Sequence, residues 1–423
     1  MIKFFSHLVL IACMLACVLP ASGQSSECQQ SGGRAGWPFP LELDGTMMAY
    51  DFSHTDSVVP WDNSLEPVFV SYVARHGARF LSSEKKVEHI REVLSQARRE
   101  GNLSARGERF MDMIRMVDSV TAGRWGALNA EGIREEKILG NQMFGIAPDL
   151  LKKGKVEARA TYVPRVVMTM YELCHSLACN SSDIEVHTAE GRQFSPLLRF
   201  FKTDSAYMKY IEAGPWVAAY DRFEQSVTPC SPAAGLFITP PDDAGLRKLT
   251  IDMYGILQSL PASGLTADAG DWFSEEEFAA CWRVDNLRHY YQRSVSGFSA
   301  MPAHAASPLL HDIISVADSV LAGRRALDAS LYFGHAETVI PLFSLMRLPG
   351  CYAPDCTPGE VSSQWRDWEV SPLGANLMIV FLKDSDGSFY VAMRLNGKWV
   401  DSGGGRIISW EGLKARWNSY MDS

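Results

Sequence analysis

The chain has 423 residues, of which 47% are hydrophobic and 21% charged, with a formal net charge of -9. That length exceeds one ordinary domain, and the composition is that of a soluble globular protein. The acidic balance excludes a general nucleic-acid binder, so a polyanionic ligand has to be met by a local basic cleft.

The N-terminus, "MIKFFSHLVLIACMLACVLPASGQ", sets Lys3 before an apolar run and ends in the small residues Ala21, Ser22 and Gly23. Residues 1–23 read as a secretory signal peptide whose apolar part is too short to span a bilayer. Export implies a periplasmic or extracellular protein, and "LIAC" leaves a lipid anchor open. No later segment has the roughly 18 consecutive apolar residues of a spanning helix, so no integral membrane segment is expected in the mature chain.

Residues 24–60 are rich in Ser, Gly and Pro and are expected to form a surface arm. "EPVFVSYVA" (66–74) is a buried strand running into "RHG". The mixed charges of 84–120 have helical spacing, and 129–146 reads as a helix capped by Asn129. Residues 155–160 read as a strand, followed by a helix with Pro164 in its first turn and Val166, Val167, Met170, Leu173 and Leu177 on its apolar face. From 181 to 319 the pattern is helical with Pro and Gly breaks. Residues 328–346 return to strand, glycine, helix, and "NLMIVFLKD" with "SFYVAMRLNGKWV" forms a hairpin around "DSDG". The fold class expected is α/β: an open mixed, mostly parallel sheet flanked by helices, over 61–180 and 320–423, carrying an inserted α-helical domain over 181–319.

Nine cysteines occur, and loss of Cys13 and Cys17 with the signal leaves seven. Cys351 and Cys356 flank a Pro-containing loop and are a fair disulfide pair in an exported chain, whereas Cys174 and Cys179 lie on a helix and can equally be core residues. No cysteine or histidine array has zinc spacing, and neither a metal nor a cofactor is expected.

In open α/β sheets the ligand crevice lies at the carboxyl ends of the strands. Three such ends carry polar groups: Arg75, His76 and Arg79 after the first strand; Arg159 and Arg165 around the second; His335 and Glu337 after the third. Helix N-termini there add unpaired N–H groups that favour an anion. Arginine forks meet phosphate oxygens in pairs, and Gly77 lets the backbone approach. His76, kept neutral by neighbouring cations, would hold a lone pair for attack on phosphorus, giving a phosphohistidine that water cleaves. Glu337 would protonate the leaving alkoxide, with activity favouring mildly acid pH. Taken alone, an "RHG" triplet is weak and is more often a solvated basic loop; joint placement at strand ends is what gives it weight. The other histidines take bland readings: His175 and His289 on helix faces, His304 and His311 in loops.

At these residues the chain resembles the histidine acid phosphatases, the clade-2 histidine phosphatases. "RHGAR" matches their RHGxR signature, and "YVPRVVMTMYEL" is similar to their downstream arginine segment. Most members end the site with His-Asp; "GHAET" has His-Ala-Glu, the mark of the multiple inositol polyphosphate phosphatases, which "FGHAETVIPL" and "SPLGANL" also resemble. The resemblance implies metal-free hydrolysis of inositol polyphosphates such as phytate. It makes His76 the nucleophile, Glu337 the proton donor, and Arg75, Arg79, Arg165 and His335 the phosphate ligands. The proline usual shortly after RHGxR is missing, where this chain has Phe80, Leu81 and Ser82. Further rim cations could be Lys85, Lys86, Arg192 and, best placed, Arg159. A broad acid phosphatase, a bisphosphoglycerate phosphatase and a non-catalytic binder of phosphorylated ligands remain alternatives.

Overall fold

Strand β1, Glu66–Arg75, runs through the middle of an eight-stranded sheet. The computed structural model describes residues 37–82, 84–265 and 267–422; the signal-peptide reading of 1–23 and Cys28 lie outside them. The other strands are β2 (Lys155–Ala160), β3 (Glu185–Glu190), β4 (Ala329–Gly334), β5 (Asn376–Lys383), β6 (Phe389–Leu395), β7 (Lys398–Val400) and β8 (Ile407–Ser409). The order is β3-β2-β4-β1-β5-β6-β7, with β8 also on β6. From β3 to β1 the neighbours are parallel, and from β1 onward antiparallel. This is the mixed, helix-flanked α/β sheet expected from the sequence.

Alternation along β1 explains the layers. Phe69 and Val73 face one core, with Tyr332, Ile379 and Phe381. Val70, Tyr72 and Ala74 face the other, with Val156, Leu331 and Phe333. All are buried, and each large apolar side chain removed from water contributes roughly 1.5–3 kcal/mol. Numbering the helices of nine or more residues, α1 is Lys85–Arg99, α2 Ala105–Thr121, α3 Ala130–Ile146, α4 Pro164–Asn180, α5 Ser205–Ala213, α6 Val217–Val227, α7 Asp243–Leu257, α8 Glu275–Arg293, α9 Ser307–Leu321, α10 Ala336–Leu345 and α11 Trp410–Asp422. Helices α3 and α4 cover the second face, with Leu139, Met143, Val166, Met170 and Leu173 inward; α9, α10 and α11 cover the first. A separate helical core joins α1 and α2 to α7 and α8, so it draws on residues from both sides of position 180.

Several local expectations need correction. The 181–319 stretch contributes β3, an edge strand whose half-exposed face hides its hydrophobic signal. The arm at 24–60 does not stay on the surface: Asp44, Gly45, Thr46, Met47 and Tyr50 are buried. The expected second strand of the hairpin breaks at Asn396 and Gly397, both at positive φ (44° and 84°), into β6 and β7. His311 lies in α9 and His304 ends a short helix, not loops. Cys351 and Cys356 are unbonded: Cys351 packs in the core while Cys356 stays half-buried.

Candidate active site

The register of the parallel strands assembles the site. Arg75 pairs with Gly334 across β1 and β4, and Ala160 pairs with Phe333 across β2 and β4. The three strands therefore end at one level, and the residues that follow them meet above it. The His76 N–H donates to the Gly334 carbonyl at 3.2 Å. The His76 and His335 rings lie 5.8 Å apart, edge to face.

The RHGAR loop is held from behind by α3 and α4. The Ala78 N–H donates to Oε2 of Glu135 at 2.7 Å, and the Gly77 N–H to Oγ1 of Thr169 at 3.2 Å. Glycine is required in α3: a Cβ at Gly132 would sit 2.2 Å from the Ala78 carbonyl oxygen. Where the usual proline is missing, Arg79 bridges Leu128 and the Phe80 N–H donates to the Ala127 carbonyl at 3.0 Å.

His76 is buried and its Nδ1 lies 3.0 Å from the Gly77 carbonyl oxygen. A carbonyl only accepts, so Nδ1 carries the proton and Nε2 keeps its lone pair. Burial, then the charges of Arg165, Arg75 and Arg79, hold its pKa well below that of an ordinary imidazole. His335 is pushed down to about 3, chiefly by burial, with Arg165, Arg199 and Arg75 acting in the same direction and Glu337 opposing them. Both rings are therefore neutral at any ordinary working pH. Nε2 of His335 pairs with Oγ1 of Thr161 at 3.2 Å.

Arg75 and Arg79 are buried, and burial is the main reason their pKa values fall to about 9. For Arg79 the charges of Arg165 and Arg75 add to this; for Arg75 the Arg293 and Arg165 charges do so, against the pull of Glu337. Both stay charged at neutral pH. Nη1 of Arg75 donates to the carbonyls of Thr46, in the buried N-terminal arm, and Ser371, each at 2.6 Å. Nη2 of Arg79 touches Sδ of Met47 at 3.4 Å. Arg165 opens α4 behind Pro164, half-buried, and its pKa is lowered by burial and by Arg199. A partly dry pocket with this cluster of cations and one carboxylate favours a dianion.

Glu337 lies in the first turn of α10, its side chain 34% exposed. Burial alone would raise its pKa, but Arg293, His335 and Arg75 hold it well below the usual carboxylate range. Its Oε1 accepts from Nη2 of Arg293 at 3.0 Å.

The rim cations divide. Arg159 sits on β2, 3.0 Å from Asp312 and 3.4 Å from Glu157, over the Tyr332 ring; its charge is engaged there, not with His76. Lys86 is buried against α7, and burial lowers its pKa while Asp285 and Asp252 act to raise it; Lys85 is exposed. Arg192 stacks on the Tyr162 ring at 4.4 Å. Two functional candidates were not legible in the sequence. Arg199 stacks on Tyr162 at 4.9 Å and acts on His335 and Arg165. Arg293 pairs with Glu337. For Arg199 the neighbouring "EGRQFSPLLRFF" was a signal; for Arg293 nothing local was.

Ligand atoms of Asp285, His289 and Asp367 lie within 4.8 Å of one another, a metal-like grouping. They already satisfy each other: Nδ1 of His289 is 2.7 Å from Asp367, and Asp285 pairs with Arg288. His289 is thus a buried hydrogen-bond partner of Asp367, with burial lowering its pKa, not a polar-face residue. A cavity of about 390 Å³ lies elsewhere, lined by Met48, Asp51, Arg366, Trp368 and Lys398 among others, and none of the strand-end side chains lines it. Among the described residues no helix is long and apolar enough to cross a membrane.

The sheet and the strand-end site define the class: this is the fold of the histidine acid phosphatases. In sequence and in fold the chain is similar to multiple inositol polyphosphate phosphatases, the group that its His-Ala-Glu motif resembles. It is 22% identical over 411 residues to multiple inositol polyphosphate phosphatase 1 of Homo sapiens, covering 87% of this chain and 78% of that protein. It superposes on the multiple inositol polyphosphate phosphatase of Bifidobacterium longum in complex with inositol hexasulfate, at TM-score 0.77 and 15% identity, over 89% of this chain and 97% of the other. The phytase from D. castellii matches at TM-score 0.68 and 16% identity, over 90% and 84%. No family model matches the chain.

Proposed function

We propose that this chain is a phosphoric monoester hydrolase acting on inositol polyphosphates such as phytate through a phosphohistidine. One observation carries the reading: His76, neutral with its Nε2 lone pair free, stands among Arg75, Arg79, Arg165 and His335 with Glu337 within their field. The cations bind the transferred phosphoryl group and neutralise charge as it passes to Nε2. Glu337 protonates the leaving alkoxide, then takes a proton from the water that cleaves the P–N bond. Arg199 and Arg192, both stacked on the Tyr162 ring, suit the non-reacting phosphates of a polyphosphate. The names of the relatives support the substrate class.

Incubation with phytate and separation of the inositol phosphate products tests the activity, the substrate class and the first position cut. Absence of phosphate release from phytate, with turnover of a simple aryl phosphate intact, would favour a broad acid phosphatase instead. Export over 1–23 is part of the proposal and rests on the N-terminal sequence; sequencing the N-terminus of the mature protein from cells checks it.

A further inference from the structure

A proton donor has to hold a proton when the ester bond breaks, yet Glu337 is held ionised in the free protein. The geometry identifies the main cause. Nη2 of Arg293 donates to Oε1 of Glu337 at 3.0 Å. Arg293 closes α8, is 9% exposed, and its Nε–H, like those of Arg75, Arg79 and Arg165, has no hydrogen-bond partner among the described residues. A buried guanidinium with an open donor beside a phosphate site is under-satisfied until an acceptor arrives.

The charged groups whose fields reach Glu337 come from every element around it. Arg75 and Arg79 come from the end of β1, Arg165 from α4 and His335 from its own turn. Arg288 comes from α8 with Arg293, and the Tyr207 hydroxyl from α5. The arginines among them are cations, and His335 and the tyrosine are neutral. Only Arg293 makes a direct hydrogen bond to the carboxylate among these.

We infer that Arg293 is a positioning residue that makes the proton on Glu337 conditional on bound substrate. This rests on the phosphatase reading above. In the free enzyme Arg293 orients the carboxylate and keeps it charged. A bound phosphate draws on the open Nε–H and shares the guanidinium charge; the carboxylate, now beside that negative charge, takes a proton from solvent or from a substrate that arrives as its monoanion and becomes the dianion. Nε2 of His76 then bonds to phosphorus as the P–O bond to the alcohol breaks. The electron pair leaves on the alkoxide, and the Glu337 proton moves to it. Water attacks phosphorus next, returning the P–N pair to His76 and one proton to Glu337.

The test is kcat/KM and kcat against pH for wild type, R293M, R293Q and R293K, with glycerol 2-phosphate as a poor leaving group and 4-nitrophenyl phosphate as a good one. For R293M and R293Q the expected result on glycerol 2-phosphate is a high-pH limb of kcat/KM moved up by about one unit, with kcat at the wild-type optimum down about ten-fold. On 4-nitrophenyl phosphate the limb should stay put and kcat should fall clearly less than on glycerol 2-phosphate, since that leaving group needs little acid help. R293K should restore the limb, and in an E337Q background R293M should leave the ratio of the two substrates unchanged. An equal loss on both substrates with unmoved limbs overturns the proposal. Thermal melts report whether each variant is folded; if R293M is not, R293Q decides. A wild type inactive on both substrates sinks the phosphatase reading instead, so the two failures are distinguishable.

Discussion

Arg75 of β1 and Gly334 of β4 are register partners, so His76 and His335 are the first residues beyond the same level of the sheet. Two motifs separated by most of the chain meet because parallel neighbours end together. The chemistry follows from that meeting: a neutral imidazole, a ring of arginines and one carboxylate.

Glu337→Gln removes the proton but keeps the shape of the side chain. Turnover of alkyl phosphates is expected to fall about 10²–10⁴-fold, while 4-nitrophenyl phosphate loses far less. Steady-state kinetics on the two substrate types check this; equal losses would remove Glu337 from the donor role.

Arg199 and Arg159 make opposite predictions. Arg199 borders His335 and Arg165, so Arg199→Ala should raise KM for phytate roughly ten-fold, the worth of one charge-assisted contact, and raise KM for a monophosphate less. Arg159 holds Asp312 and Glu157 together. Arg159→Ala should lower the melting temperature and move KM for phytate less than Arg199→Ala does.

Glu136 is buried, with neither carboxyl oxygen hydrogen-bonded among the described residues, and burial raises its pKa well above the usual value. The folded protein therefore keeps a proton there that the unfolded chain loses above its ordinary value of about 4.5, so this group makes stability fall as pH rises from that value. Glu136→Gln removes that dependence. Thermal melts should show a larger gain for the variant at pH 8 than at pH 5; a gain independent of pH would mean Glu136 is not protonated in the fold.

Gly132→Ala would press a methyl group against the Ala78 carbonyl, at 2.2 Å if nothing moved. The loop bearing His76 would have to shift. A destabilisation of about 1–3 kcal/mol is expected from the overpacking, together with a fall in kcat because the nucleophile is displaced. Denaturant melts and kinetics on the same variant measure both; normal kcat with lowered stability would show that the loop tolerates the shift.

Much of this site was legible because its parts are local. "VFVSYVARHG" and "LYFGHAE" each carry strand, turn and chemistry within about ten residues, and periodicity finds such pieces. Asn129 was readable as a cap for the same reason, and its Oδ1 accepts from the Gly132 N–H at 3.0 Å. What failed is tertiary. Arg293 ends a helix whose sequence gives no hint that its last residue reaches Glu337. Arg159 stands at a strand end, as expected, but the alternation of β2 turns it toward Asp312. The Gly- and Pro-rich segment around Thr46 has the composition of a surface loop, and its tertiary contacts, the Thr46 carbonyl on Arg75 and Met47 packed with Ala78 and Leu373, explain why it is buried.

The central claim is that Nε2 of His76 bonds to phosphorus during turnover. Rapid quenching into alkali, where phosphohistidine survives, followed by mass spectrometry of the peptides tests it most directly. The account predicts a phosphate on the peptide containing His76, attached at Nε2, in wild type and not in His76→Ala, whose turnover should fall by about 10⁴-fold or more. Turnover preserved in His76→Ala, or phosphate trapped on another residue, would contradict it.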